Sequence, residues 1–131
     1  MRVKGKRMVR FRFERLESWQ FAIAFCDEIY RITKSIPSDE RFGLVSQLRR
    51  AAVSIPANVA EGTGKSSPKE GMRFVEIAYG SLMEVISHIE VAYRQKWILN
   101  EDYETIREKA DKLARILSGY RNHLEKLKKS P

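Results

Sequence analysis

Three groups of residues in this 131-residue sequence have types and spacing that could do chemistry. Gly62-Thr63-Gly64-Lys65-Ser66 carries the glycine, lysine and hydroxyl that close a phosphate-binding loop. That motif also needs a glycine five residues before Gly64, where Val59 stands, and a strand before the loop rather than a helix. A helix end followed by a loop is the better reading. The two histidines could serve a di-iron bundle only through Glu-x-x-His pairs. Val85 and Tyr120 occupy the places three residues before His88 and His123, and Glu84 is one turn from His88, where a hydrogen bond suffices. Cys26 is the single cysteine, so it can form no intramolecular disulfide and no zinc site of four cysteines or of two cysteines and two histidines. Set among Trp19, Ala22 and Ile29, it is expected to be an inert core thiol. Neither catalytic residues, nor a metal site, nor a cofactor is expected, and a hydrolase or nucleotide enzyme is the least supported reading.

The elements that would position these groups are helices. Proline, glycine and capping residues divide the chain into a basic arm over 1–15 and a bundle over 16–128, with helices expected at about 16–36, 40–61, 67–98 and 100–128. Pro37 closes the first helix, and Ser67, Pro68 and Glu70 form a capping box for the third. Short connections between long helices imply an all-α, antiparallel up-down-up-down four-helix bundle. Val9 to Phe13 alternates with period two and suggests an extended arm. The last helix shows one apolar stripe: Ile106, Ala110, Leu113, Leu117, Tyr120 and Leu124. The first shows two, with Trp19, Ala22, Ile23, Cys26, Ile29 and Tyr30 beside Phe21, Phe25, Ile32 and Ile36. A small bundle buries one stripe per helix, so the second stripe is expected to be an oligomer interface, unless the helix sits deeper within one bundle.

The second helix holds Ser46-Gln47-Leu48-Arg49-Arg50-Ala51-Ala52-Val53-Ser54-Ile55-Pro56-Ala57-Asn58-Val59-Ala60-Glu61-Gly62, with a proline that should kink it. Together with Phe13–Trp19, Arg41-Phe42-Gly43-Leu44 and Arg73–Glu84, this stretch resembles the four-helix bundle family encoded by intervening sequences in bacterial large-subunit ribosomal RNA genes. The resemblance runs from about residue 11 to 125. It implies a ring-like homopentamer without catalytic activity. It also implies distant kinship with the accessory variability determinant of diversity-generating retroelements, a basic pentamer that engages a reverse transcriptase and nucleic acid. The resemblance singles out Gln47, Arg49, Arg50, Asn58 and Glu61. These residues either bind a partner or form a partly buried network, in which arginine pairs with glutamate and asparagine braces the kink.

Charge supplies the functional argument. The net charge is +8, yet residues 16–120 hold 14 basic and 15 acidic groups. Residues 1–15 hold seven basic groups (Arg2, Lys4, Lys6, Arg7, Arg10, Arg12 and Arg15) against Glu14, a net of +6. Residues 121–131 add Arg121, Lys126, Lys128 and Lys129 against Glu125, a net of +3. Arginines interleaved with Phe11 and Phe13 suit phosphates and bases, although the phenylalanines could instead dock on the first helix. The sequence therefore predicts a cytoplasmic, non-enzymatic oligomeric adaptor for RNA or DNA, working alone or with a protein partner, away from membranes. The competing expectation is a structural or protein-interaction scaffold with no specific nucleic-acid binding.

Overall fold

The structure is a computed structural model that describes residues 10–129, together with the backbone of 2–3 and 6–7. Four helices carry the fold: α1 (Glu17–Thr33), α2 (Leu44–Thr63), α3 (Pro68–Arg94) and α4 (Asn100–Lys128). α1 packs on α2 and α4, and α3 packs on the same two, so each helix has two neighbours around one core. Ahead of them, two-residue strands pair antiparallel, with Arg2 opposite Arg7 and Val3 opposite Lys6. Arg12–Arg15 is a 3-10 turn, so the alternating pattern of Val9 to Phe13 does not continue as an extended arm. Local hydrogen bonding wins there: Glu14 Oε1 accepts from the backbone N–H groups of Phe11 and Arg10 at 3.0 and 3.2 Å and folds the chain back.

Each helix ends for a local reason. Lys34, Ser35 and Ile36 donate to carbonyls three residues back, which tightens the chain before Pro37 and ends α1 at Thr33. A second 3-10 turn, Ser38–Glu40, and Gly43 then delay α2 to Leu44. Ser67 Oγ accepts from the Glu70 N–H at 3.3 Å, and Pro68 takes the first position of α3. α3 ends at Arg94, and Lys96 beyond it adopts a left-handed φ of 66°. Asn100 does not cap α4; its Oδ1 accepts from the Tyr93 hydroxyl at 2.7 Å.

α4 buries Ile106, Ala110, Leu113, Leu117 and Leu124, with Tyr120 half-buried beside them. On α1 the structure corrects the expected interface. Phe25, Ile32 and Ile36 lie in the protomer's own core, Phe25 being 1% exposed, and Phe21 is half-buried under Lys112. A helix with two neighbours buries an arc wide enough for most of both stripes. On α1, Ile23 (37% exposed) and Tyr30 (41%), from the stripe assigned to the core, stay outside, and Val53 (45%) on α2 is among the further apolar side chains exposed elsewhere.

α2 runs through Pro56. Proline lacks the N–H that would bond the carbonyl four residues back, which belongs to Ala52. The Cys26 thiol of α1 donates to that oxygen at 3.0 Å. Asn58 Nδ2 donates to the Ser54 carbonyl and hydroxyl at 2.8 and 2.9 Å, bracing the same turn.

Candidate nucleic-acid interface

The 3-10 turn, the α2–α3 loop and the last turns of α4 meet in space. Arg12 Nη2 donates to the Thr63 carbonyl at 2.8 Å, tying the 3-10 turn to the end of α2. A groove of about 420 Å³ opens there, lined by Arg12 from that turn, Lys65 and Ser66 from the α2–α3 loop, and Tyr120, His123 and Leu127 from α4. The loop reaches this place because α2 and α3 cross closely. A Cβ on Gly62 would lie 3.1 Å from Phe74 Cβ and 3.2 Å from the Gly71 carbonyl, tighter than most Cβ contacts, so α3 would have to give by a few tenths of an ångström. Lys65 Nζ stands 4.9 Å from the Phe74 ring centroid. Burial pushes the Tyr120 phenol pKa up, with the Arg12 charge opposing.

The aromatic residues of the arm divide between two roles. Phe13 packs edge-on against Trp19, with centroids 5.1 Å apart, which is the docking expected of an ordinary core anchor. Phe11 stacks on Phe13 at 6.0 Å and 7°, yet 61% of it stays exposed. Arg10, Arg12 and Arg15 surround these rings in sequence and are exposed. In the last turn of α4, Lys128 and Lys129 approach Glu125 at 3.8 and 3.6 Å, and Lys126 is exposed. Lys4 lies outside the described residues, as do the side chains of Arg2, Lys6 and Arg7.

The residues singled out on α2 do not act together. Arg49 Nε donates to Thr33 Oγ1 at 2.9 Å, and its guanidinium lies 4.6 Å from the Tyr30 ring centroid. Gln47 and Arg50 are exposed along a separate polar groove of about 370 Å³ that includes Ser54, Ser81 and Glu84. The expected pairing of Arg50 with Glu61 does not occur among the described ion pairs. Eleven residues of helix at ~1.5 Å each separate their backbones by about 16 Å, beyond side-chain reach. Glu84 and His88 do hydrogen-bond, at 3.2 Å. Among the described residues, no group of three or more His, Cys, Asp or Glu side chains could hold a metal ion, and no helix is long and apolar enough to cross a membrane.

The family model for the 23S rRNA-intervening sequence protein matches residues 14–119. The chain belongs to this family. A solved structure with a similar fold is a protein of unknown function from the S23 ribosomal protein family of Bacteroides thetaiotaomicron. It is 22% identical, has a TM-score of 0.73, and covers 80% of this chain and 95% of its own. No curated protein matches the sequence. The segment shared with the family holds almost all of the bundle, while Arg10, Arg12, His123, Lys126, Lys128 and Lys129 lie outside it.

Sequence reasoning missed a network that joins α1 to α4. Glu28 accepts from Lys109 Nζ at 2.5 Å and Arg31 Nε at 2.8 Å, and Arg31 reaches Asp102 at 3.0 Å. The hydrogen bonds from Lys109 and then Arg31 hold the Glu28 carboxyl below its ordinary pKa, against a smaller effect of burial. The Glu28–Arg31 spacing was a local signal; the partners on α4 had none. Ser18 Oγ is buried and has no hydrogen-bond partner among the described residues.

Proposed function

We propose that this chain is a non-enzymatic oligomeric adaptor that binds nucleic acid, RNA or DNA, with room for a protein partner. The observation that carries the reading is the groove in which Arg12 of the 3-10 turn and Lys65 of the α2–α3 loop stand beside the last turns of α4. Phosphate backbones are bound by such clustered cations, and each neutralised phosphate releases counterions.

The up-down-up-down arrangement belongs to the same proposal. It is supported by contacts between turns: Ser35 of the α1–α2 connection donates to the Trp97 carbonyl in the α3–α4 connection at 3.0 Å. Self-association is supported by exposed Ile23 and Tyr30 on α1 and Val53 on α2, Tyr30 lying against the Arg49 guanidinium. The homopentamer rests on the family resemblance of the sequence, and a ring would multiply weak basic patches through avidity. A reducing, cytoplasmic setting suits the buried free thiol of Cys26.

Filter binding of ribosomal RNA fragments and duplex DNA across a salt series tests the reading. Retention should fall with salt, with a log–log slope on duplex DNA of about −0.9 per phosphate contacted. A chain lacking residues 1–12 should show a flatter slope. Retention that ignores salt, or none at all, would overturn the proposal and leave the scaffold reading.

A further inference from the structure

We infer that Phe11 is a stacking platform for an unpaired base, so that the preferred ligand of the basic end is single-stranded nucleic acid rather than duplex. The inference rests on the nucleic-acid reading above and adds the state of the strand.

Three observations carry it. First, the ring is presented rather than packed away: Phe13 covers one side, and 61% of Phe11 remains exposed. A large exposed aromatic at the surface of a small domain is not accounted for by the core, since the ring that anchors the arm is Phe13, edge-on to Trp19. Second, the presentation is held in place. The Phe11 N–H donates to Glu14 Oε1 at 3.0 Å, Gln20 Nε2 donates to the Glu14 carbonyl at 2.8 Å, and Arg12 is fixed to Thr63. A base laid on the open face would continue the stack Phe11–Phe13, and little side-chain freedom is left to lose on binding. Third, the charge complements the occupant. Arg12, next in the chain, also lines the groove with Lys65, so a strand whose base rests on Phe11 can place its phosphates along these two cations. Bases in a duplex are stacked and paired, and an exposed ring at the surface cannot reach their faces without opening the helix.

The test compares three tagged probes by fluorescence anisotropy at fixed salt: oligoadenylate, the same oligoadenylate paired with oligouridylate, and a ribose-phosphate chain of equal length without bases. The intact protein should bind oligoadenylate more tightly than the other two. Phe11→Leu should weaken oligoadenylate binding about five- to a hundredfold while changing affinity for the duplex and the abasic chain less than about twofold. Phe11→Trp should preserve the preference, and unchanged thermal melts of both variants show that the bundle is intact. Equal losses for all three probes, or none for oligoadenylate, would overturn the platform while leaving the charge-based reading in place. Absence of salt-sensitive binding to every probe by the intact protein would overturn both.

Discussion

The Cys26 thiol donates to the carbonyl oxygen of Ala52 at 3.0 Å, across the α1–α2 contact. Pro56 leaves that oxygen without a backbone donor, and both residues are in the core. A buried carbonyl left unpaired costs ~1–3 kcal/mol. Cys26→Ala should therefore destabilise the protein by about that amount in urea unfolding. Pro56→Ala restores an N–H to the Ala52 oxygen, so in that background the cost of Cys26→Ala should shrink by about 1 kcal/mol. Equal costs in both backgrounds would reduce Cys26 to a filler of space.

The same thiol gives an alkaline signature. Burial, with a smaller push from Asp27, raises its pKa from 9.0 to about 11. The folded protein thus holds the thiol proton to higher pH than the unfolded chain does. This contribution to stability is complete below pH 9 and is lost as pH climbs to about 11. Thermal melts across that interval should fall more steeply for the native sequence than for Cys26→Ala.

The acid side has its own carrier in Glu28. Lys109 and Arg31 hold its pKa below the ordinary 4.5, so its contribution is present above that value and is lost as pH falls through the lowered one. Glu28→Gln should cost roughly 1 kcal/mol at neutral pH, because the site is only partly shielded. Denaturation monitored from pH 6 downward should be shallower for the variant. Parallel curves would remove Glu28 from the account.

Two variants separate core from outer surface on α1 and α2. Phe25→Asp places a charge at a core position 1% exposed and should unfold the protomer, seen as loss of the cooperative melt. Tyr30→Glu with Val53→Glu should leave the melt and helicity intact while lowering the mass in light scattering, if the exposed patch joins protomers. An unchanged mass would move the interface elsewhere.

Glycines at two places should respond with opposite signs. Gly62→Ala forces a Cβ to 3.1 Å from Phe74 Cβ and 3.2 Å from the Gly71 carbonyl, and should cost ~1–3 kcal/mol by wedging α2 from α3. Gly80→Ala meets nothing within 4 Å in the middle of α3 and should stabilise by ~0.5–1 kcal/mol. Paired urea titrations check both.

What the sequence made legible was local. Ser67 capping α3, the loop at Gly64–Ser66 and the buried stripe of α4 depend on residues a turn or two apart, where spacing carries the physics. Periodicity also measured how much apolar surface α1 carries, but not which neighbour covers each part. Phe25 and Ile32 therefore went to an interface, and Tyr30 to the core, in reverse of their burial. Arg50 and Glu61 share a stripe on a helical wheel, which hides the axial distance between them. Pro56 marks a break in the hydrogen bonding of α2, while the donor that answers it, Cys26, lies 26 residues from Ala52 and is brought there only by the packing of α1 on α2. The terminal charges were countable in advance; that Arg12 shares a groove with Lys65 and the last turns of α4 depended on its reaching Thr63.

That convergence bears on how the molecule can be altered. The 3-10 turn near the start of the chain and the last turns of α4 line one groove, whereas the connections at Ser35 and Trp97 touch each other elsewhere. A peptide or domain joined directly ahead of the 3-10 turn or directly after α4 would be delivered to the same pole of the bundle. A tag at either point thus becomes a competitor at the groove, and a cargo meant to spare it belongs in the turn between Trp97 and Asn100.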